Sequence, residues 1–226
     1  MTARCGRHAP ATGSRRDRLR RATSAQHAAL EARLEAGGCF DSLDGYARYL
    51  GAMAPLYAAL EDALHAAGAG RLLPDWPRRR KAGLVRADLR ALGARAPAIA
   101  RVASGAEAGA MAALWHAGVV FAALYVLEGA TLGGAVLARR VLRLGLTRER
   151  GAAFLDPYGL DRSTMWQGFL RALEGAELTP EEEGDLGPRS AAVFDLFAAR
   201  VAAIAPGRAG RADVGAAPSA AAGGVA

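Results

Sequence analysis

The spacing of apolar and polar positions predicts a chain built from helices. Apolar side chains recur every three or four residues over 42–67, where leucines and tyrosines fall on one helical face. No segment alternates with a period of two, so no strand is expected. The same reasoning predicts helices over 19–36, 76–92, 109–140, 149–155, 161–173 and 189–203, and a brief one from Thr179. The expected fold class is an all-α, single-domain multi-helix bundle.

The segment 109–140 is the longest apolar stretch and contains a cluster of small residues. It has no charged side chain before Glu128, which predicts a helix buried nearly all round. Gly129, Gly133 and Gly134 then follow, and each glycine costs a helix about 1 kcal/mol relative to alanine. Glycine lacks a Cβ, so its backbone can lie against something flat and large. We therefore expect this part of the helix to form a close contact.

Two other interpretations of this segment are open on the motif alone. It is long enough to cross a bilayer, and the spacing from Gly129 to Gly133 occurs in membrane helix dimers. Its alanine content, Glu128 and His116 argue against a membrane span. The glycines could also let two soluble helices cross closely.

Charge and composition predict one folded domain with a tail at each end. The 226 residues are 52% hydrophobic and carry a net charge of +7. Most of that charge lies in residues 1–21, which hold seven arginines and one acid, so the body is nearly neutral and a nucleic-acid groove is not expected. We expect a disordered basic arm over 1–18, the folded domain over 19–204 and a disordered tail over 205–226. The run Arg78–Lys81 is expected to be a solvated first turn, or at most a patch for an acidic partner.

Cysteine usage favours a cytoplasmic protein. Cys5 and Cys39 form no CxxC pair, and no apolar segment follows the basic N-terminus as in a signal peptide.

His27 is the first candidate metal ligand. Glu31 follows it by one helical turn, where its carboxylate could hold one imidazole nitrogen and leave the other for a metal. Arg20 precedes His27 by seven residues and falls on the same side of the helix. A single histidine beside an apolar stripe is also compatible with a purely structural residue.

Taken together, the motifs RATSAQHAALEARLEA, LYVLEGATLGG, DPYG and AAVFDLF resemble the biliverdin-producing heme oxygenases, in particular the bacterial type found with phytochromes. The resemblance covers about residues 19–203. It implies that His27 ligates the iron of heme b and that Glu31 hydrogen-bonds the other ring nitrogen. It also implies that Gly129, Gly133 and Gly134 form the catalytic distal wall over the heme.

The resemblance implies further heme-binding residues and one departure from the family pattern. Arg20, Tyr125 and Arg171 are candidates for the heme propionates. Many heme oxygenases have an aspartate directly after the first distal glycine, where it organises water, whereas this chain has Ala130.

The implied reaction is cleavage of heme at a meso carbon to biliverdin, carbon monoxide and iron. Heme is both cofactor and substrate, O2 is the second substrate, and electrons come from an external donor protein or other reductant, since no nucleotide-binding motif is present. The bilin could supply a bacteriophytochrome. The alternatives are a non-catalytic heme-binding or heme-trafficking protein on the same fold, and an all-α regulator that uses its basic arm on nucleic acid.

Overall fold

The computed structural model describes residues 13–93 and 115–204. Within these ranges the chain forms nine α-helices and two short 3-10 helices, at Leu142–Leu144 and Gly159–Asp161. The α-helices are α1 (Arg15–Ala22), α2 (Ser24–Ala36), α3 (Leu43–Ala66), α4 (Ala69–Leu72), α5 (Trp76–Arg79), α6 (Ala82–Ala91), α7 (Ala117–Val141), α8 (Arg162–Gly175) and α9 (Pro180–Ile204). In the described ranges the only extended pairing is an isolated bridge region at Thr147, so the all-α expectation is confirmed.

Helices α7 and α9 form the centre of the bundle. They make the most extensive contact of any two helices, and α2 and α3 also pack on α9. Phe121 and Leu124 of α7 are fully buried, and the Ser190 hydroxyl on α9 donates a hydrogen bond to the Ala122 carbonyl over 3.0 Å. The segment Ala117–Leu144 is apolar enough to cross a membrane, but more than half of its apolar 18-residue stretch is buried inside the protein. Packing within the bundle therefore accounts for its composition.

Helix α9 is longer than the sequence indicates. We expected a brief helix after Thr179 and a separate one over 189–203, because Gly184, Gly187 and Pro188 interrupt the pattern. The structure has one helix of 25 residues instead. Glycine and proline weaken an isolated helix, but the buried face of α9 against α7 outweighs that local preference.

The predicted helix over 19–36 is divided in two and begins earlier. Ser14 caps α1, and both Arg15 and Arg18 pair with Glu183 on α9, so four residues of the expected basic arm are helical. Thr23 separates α1 from α2, and its hydroxyl bonds back to the Leu19 carbonyl at 2.8 Å. The rest of the arm (1–12), residues 109–114 of the long helix and the tail (205–226) lie outside the described residues.

The predicted helix over 76–92 is also divided, at Arg80 and Lys81. Arg80 has an extended backbone, and the buried Glu61 carboxylate accepts the N–H groups of Lys81 and Ala82 at the start of α6. The expectation that Arg78–Lys81 forms a solvated turn is wrong for two of its members. Arg79 and Lys81 are 1% and 2% exposed, because the break in the helix turns both side chains inward.

Residues 149–155 are not helical, in contrast to the expectation. The segment is a compact turn, and the buried Asp88 carboxylate on α6 accepts the N–H groups of Ala153 and Phe154 at 3.1 and 2.7 Å. Burial raises the pKa of Asp88, and these two backbone donors partly offset that effect. A single acid thus supplies the hydrogen bonds that a helix would have supplied.

Gly134 is where this turn meets α7. A Cβ on Gly134 would overlap the carbonyl of Leu155, which lies against the helix backbone. The structure therefore gives Gly134 a packing role on the side of α7 that faces the turn. At Gly129, five residues earlier, a Cβ would have nothing within 4 Å.

This difference predicts opposite effects of alanine at the two glycines in the protein without ligand. Gly134→Ala should destabilise it by about 1–3 kcal/mol through overpacking. Gly129→Ala should stabilise it by up to about 1 kcal/mol, because alanine is the better helix former. Chemical denaturation of both variants beside the unchanged protein measures the two effects. Equal stability of the two variants would show that Leu155 does not restrict position 134.

Candidate functional site

The candidate site is a cleft between α2 and α7, with α9 as its base. Both helices pack on α9 but make few direct contacts with each other. No residue of α2 is buried, which is unusual for a helix of 13 residues in a folded domain. The side of α2 that faces α7 therefore has few protein contacts.

Polar contacts at both ends hold α2 and α7 side by side. At one end the Thr23 side chain lies beside the Tyr125 hydroxyl. At the other, the Arg140 guanidinium binds Glu35 at 2.5 Å and Asp41 at 2.8 Å. Thr23 directly precedes α2 and Glu35 lies near its end, just as Tyr125 comes before Arg140 on α7. The two helices therefore run parallel.

This alignment places His27 across the cleft from the glycines of α7. His27 lies four residues beyond Thr23, and Gly129 lies four residues beyond Tyr125, which is about 6 Å along each helix. The histidine and the first glycine are therefore at about the same level.

The His27 imidazole has a carboxylate on one side and is accessible on the other. Its Nδ1 lies 3.4 Å from the Glu31 carboxylate, and its ring contacts Phe194 of α9 edge-on with centroids 5.8 Å apart. The side chain is 57% exposed, and Nε2 has no hydrogen bond within the described ranges. A carboxylate at Nδ1 favours the tautomer with Nε2 unprotonated, which is the form that binds a metal.

Two of the three glycines face the cleft. Gly129 and Gly133 lie one helical turn apart, and a Cβ at either position would have nothing within 4 Å. Leu132 and Val136 share this side of α7 and are 41% and 65% exposed. These four residues form what we call the open glycine face. Gly134 points away from it, towards Leu155.

Arg20 and Tyr125 lie together at the Thr23 end of the cleft. Burial raises the pKa of Tyr125, whereas the neighbouring Thr23 side chain and the charges of Arg16 and Arg20 lower it. The Tyr125 ring also packs against Trp166 of α8, with centroids 6.1 Å apart. This corner thus combines exposed arginines with a half-buried hydroxyl, which suits an anionic group at the edge of a ligand.

Ala130 and Arg171 are at the margins of the site. Ala130 is exposed and follows the first glycine, on the flank of α7 next to the open glycine face. Arg171 is exposed on α8, and its guanidinium lies near Gly168. The role of Arg171 stays a prediction from the sequence.

A buried cluster of charged groups fixes α7 immediately before Gly129. The Glu128 carboxylate is 1% exposed and binds Arg79 at 2.5 Å and Lys81 at 2.7 Å. The Tyr158 hydroxyl lies 3.0 Å from both of its oxygens. We refer to Arg79, Lys81, Glu128 and Tyr158 as the Glu128 cluster. A buried carboxylate is tolerated only with such partners, so the cluster determines the position of the helix.

Arg79 uses every donor of its guanidinium. Its nitrogens bind Asp75 at 2.7 and 2.8 Å, Glu128 at 2.5 Å, and the Met165 carbonyl of α8 at 3.1 and 3.2 Å. Burial alone would lower the pKa of Arg79, but the Asp75 hydrogen bond and the charge of Glu128 raise it. The same side chain thus joins α5, α7 and α8.

Sequence reasoning missed the Glu128 cluster. A signal was present, because Glu128 is the only charged residue in an apolar stretch and a buried acid requires a cation. Two residues of the basic run Arg78–Lys81 supply that charge, but their helical spacing suggested a solvated turn. Tyr158 comes from an irregular segment whose path the pattern does not indicate.

The geometry of the cleft fits a flat macrocycle that carries a metal. An imidazole nitrogen is available on one wall, and the opposite wall exposes backbone and apolar side chains where larger residues would block a planar ligand. The two arginines at the Thr23 end suit carboxylate substituents. Within the described residues no group of three or more His, Cys, Asp and Glu side chains could hold a metal by itself.

Known proteins resemble this chain over most of its length. The heme oxygenase family model matches residues 15–203 of this chain. Heme oxygenase PigA of Pseudomonas aeruginosa is 31% identical over 185 residues, which cover 81% of this chain and 89% of PigA.

Solved structures match the fold over most of the chain. The NO- and CO-bound heme oxygenase of Neisseria meningitidis has a TM-score of 0.74 at 21% identity and covers 91% of this chain and 99% of its own. The heme oxygenase of Leptospira interrogans has a TM-score of 0.70 at 21% identity, over 84% of this chain and 100% of its own. At this level of identity, the two structures support the fold alone.

The Glu128 cluster predicts a large cost for removing its negative charge. Glu128→Gln leaves Lys81 buried without a counter-charge and Arg79 with Asp75 alone, so we expect a loss of about 3–5 kcal/mol in the free energy of unfolding. Glu35→Gln is the matched control, because Glu35 also pairs with an arginine but is 72% exposed. It should cost less than about 1 kcal/mol. Urea denaturation compares the two, and similar losses would contradict the importance of the buried pair.

Proposed function

Because this chain belongs to the heme oxygenase family, we propose that it cleaves heme at a meso carbon and releases biliverdin, carbon monoxide and iron. Heme is both the substrate and the cofactor of this enzyme family. O2 is the second substrate, and an external protein or other reductant supplies the electrons. We further propose a cytoplasmic enzyme whose bilin can serve as the chromophore of a phytochrome.

The observation that carries this proposal is the pairing of His27 with the open glycine face across one cleft. His27 Nε2 is the atom available to bind the iron, while Glu31 holds the proton on Nδ1. Heme, when bound, supplies the iron that activates oxygen and the ring that is cleaved. Gly129 and Gly133 let the α7 backbone lie close to the ring face, because neither residue has a Cβ to separate the backbone from the ring.

The other residues of the cleft orient the ring in this proposal. Arg20 and Tyr125 bind a propionate at the Thr23 end, a role supported by the effect of the Arg20 charge on the pKa of Tyr125. Leu132 and Val136 lose exposed apolar surface when a porphyrin covers them, which favours binding and excludes bulk water from the distal side. Arg171 is proposed as a further contact at the edge.

The proposal is tested first at His27. His27→Ala should leave the fold nearly unchanged, because the side chain is more than half exposed. The variant should still bind hemin through the apolar walls, but resonance Raman and EPR spectra should lose the axial histidine and biliverdin formation with ascorbate should collapse. Glu31→Gln should weaken the reaction less, since it keeps a hydrogen-bonding side chain at Nδ1.

His116→Ala serves as the control for ligation. His116 directly precedes α7, and its ring lies 3.1 Å from the Asp185 carboxylate of α9. It comes thirteen residues before Gly129, which is about 20 Å along the helix. Its removal should leave the axial signature intact. An intact signature in His27→Ala would overturn the ligand assignment. Axial ligation without biliverdin in the unchanged protein would indicate a heme-binding or heme-trafficking protein instead.

The open glycine face gives a second test. Gly133→Leu should keep or raise the stability of the protein without ligand, because leucine is the better helix former. Its side chain would occupy the space that the ring would fill, so biliverdin yield should fall at least about tenfold, a barrier increase of about 1.4 kcal/mol. Gly83→Leu on α6 is the matched control, since a Cβ there also has nothing within 4 Å and α6 is not part of the cleft. Equal yields from the two variants would contradict the proposed role of the glycine face.

A further inference from the structure

A small cavity connects the Glu128 cluster with the flank of the open glycine face. Its volume is about 30 Å³, and it lies between α7 and the residues that pack behind it. On α7 it is lined by Ala130, Thr131, Gly134 and Leu137, of which Ala130 is exposed beside the cleft. A water needs about 10–15 Å³ of such space, so the cavity has room for one or two waters.

The polar lining of this cavity suits water. Lys81, Tyr49 and Tyr57 all contribute to its wall. Burial raises the pKa of both tyrosines, so their hydroxyls stay protonated and can donate or accept hydrogen bonds. Neither hydroxyl has a hydrogen bond within the described part of the chain, and a water with two to four polar partners is the usual occupant of such a space.

Lys81 has one donor left for that water. Its ammonium carries three protons, and the Arg79 carbonyl at 2.9 Å and the Glu128 carboxylate at 2.7 Å account for two of them. The Tyr158 ring lies below the ammonium, with its centroid 5.3 Å from Nζ. Glu128 and this ring keep the charge in place although the side chain is only 3% exposed.

We propose that Lys81 is the positioning residue for water on the distal side of the heme, at the place where this chain has Ala130 and no acid. Its third proton holds a water in the cavity, and that water reaches the cleft beside the small Ala130 side chain. A larger residue at position 130 would close this connection. The inference rests on the proposed function, because the water reaches the heme only if the ring lies in the cleft that Ala130 borders.

Lys81→Met tests the proposal in the full chain loaded with ferric hemin. The variant removes the charge and the third donor, while Glu128 keeps Arg79 and Tyr158 as partners. The pH midpoint of the acid-to-alkaline change in the absorption spectrum should rise by about 0.5–1 unit, because a nearby positive charge favours the alkaline form. Biliverdin yield should fall at least about tenfold, whereas the hemin Kd should change little.

Two further variants separate this role from a merely structural one. Lys81→Gln keeps a donor for Glu128 without the charge, and it replaces Lys81→Met if that variant fails to fold. Lys81→Arg keeps the charge, so its midpoint should stay close to that of the unchanged protein. Arg78→Met is the matched control, because this substitution also removes a positive charge, but the Arg78 side chain is 67% exposed and does not line the cavity. Its midpoint and yield should equal those of the unchanged protein.

The outcomes distinguish this inference from the proposed function. An unchanged midpoint in folded Lys81→Met or Lys81→Gln overturns the inference, whether or not the biliverdin yield falls. A shifted midpoint with retained hemin binding supports it. Absence of biliverdin from the unchanged protein would overturn the proposed function itself, and the inference with it.

Discussion

The buried carboxylate of Glu128 is the constraint on which the site depends. The next six residues of α7 include three glycines, so that part of the helix has little stability of its own. Arg79, Lys81 and Tyr158 hold it from one side, and Leu155 packs against Gly134. The open glycine face can therefore stay bare of side chains without losing its position. Fixed groups of this kind hold a catalytic surface in place better than a loop would.

The opposite wall of the cleft is held much more loosely. Helix α2 has no buried residue and is connected mainly through its ends and through α9. A segment with so little buried surface opens more easily than the core, and a ligand that packs on it adds the missing contacts. Heme placed between His27 and the glycine face would do this, so substrate binding and the stability of α2 are expected to be linked.

Much of the fold could be predicted from periodicity, but the site depended on contacts between distant segments. The helices at 43–66 and 162–175 follow from apolar spacing, and His27 with Glu31 follows from one helical turn. The division at Arg80 and the burial of Arg79 could not be predicted, because they depend on Glu128 nearly fifty residues later. The unbroken α9 likewise depends on packing against α7, which overrides its own glycines and proline. Gly134 differs from Gly129 and Gly133 only through Leu155, a residue in a segment wrongly expected to be helical.

A crystal structure of the protein with ferric hemin tests the central claim most directly. The account predicts that His27 Nε2 ligates the iron, that the Glu31 carboxylate remains at Nδ1, and that the ring lies over the backbone of Gly129 and Gly133. The Glu128 cluster should keep the contacts described here, with the rearrangement confined to α2. A heme ligated by another residue, or one bound away from the cleft between α2 and α7, would contradict the account.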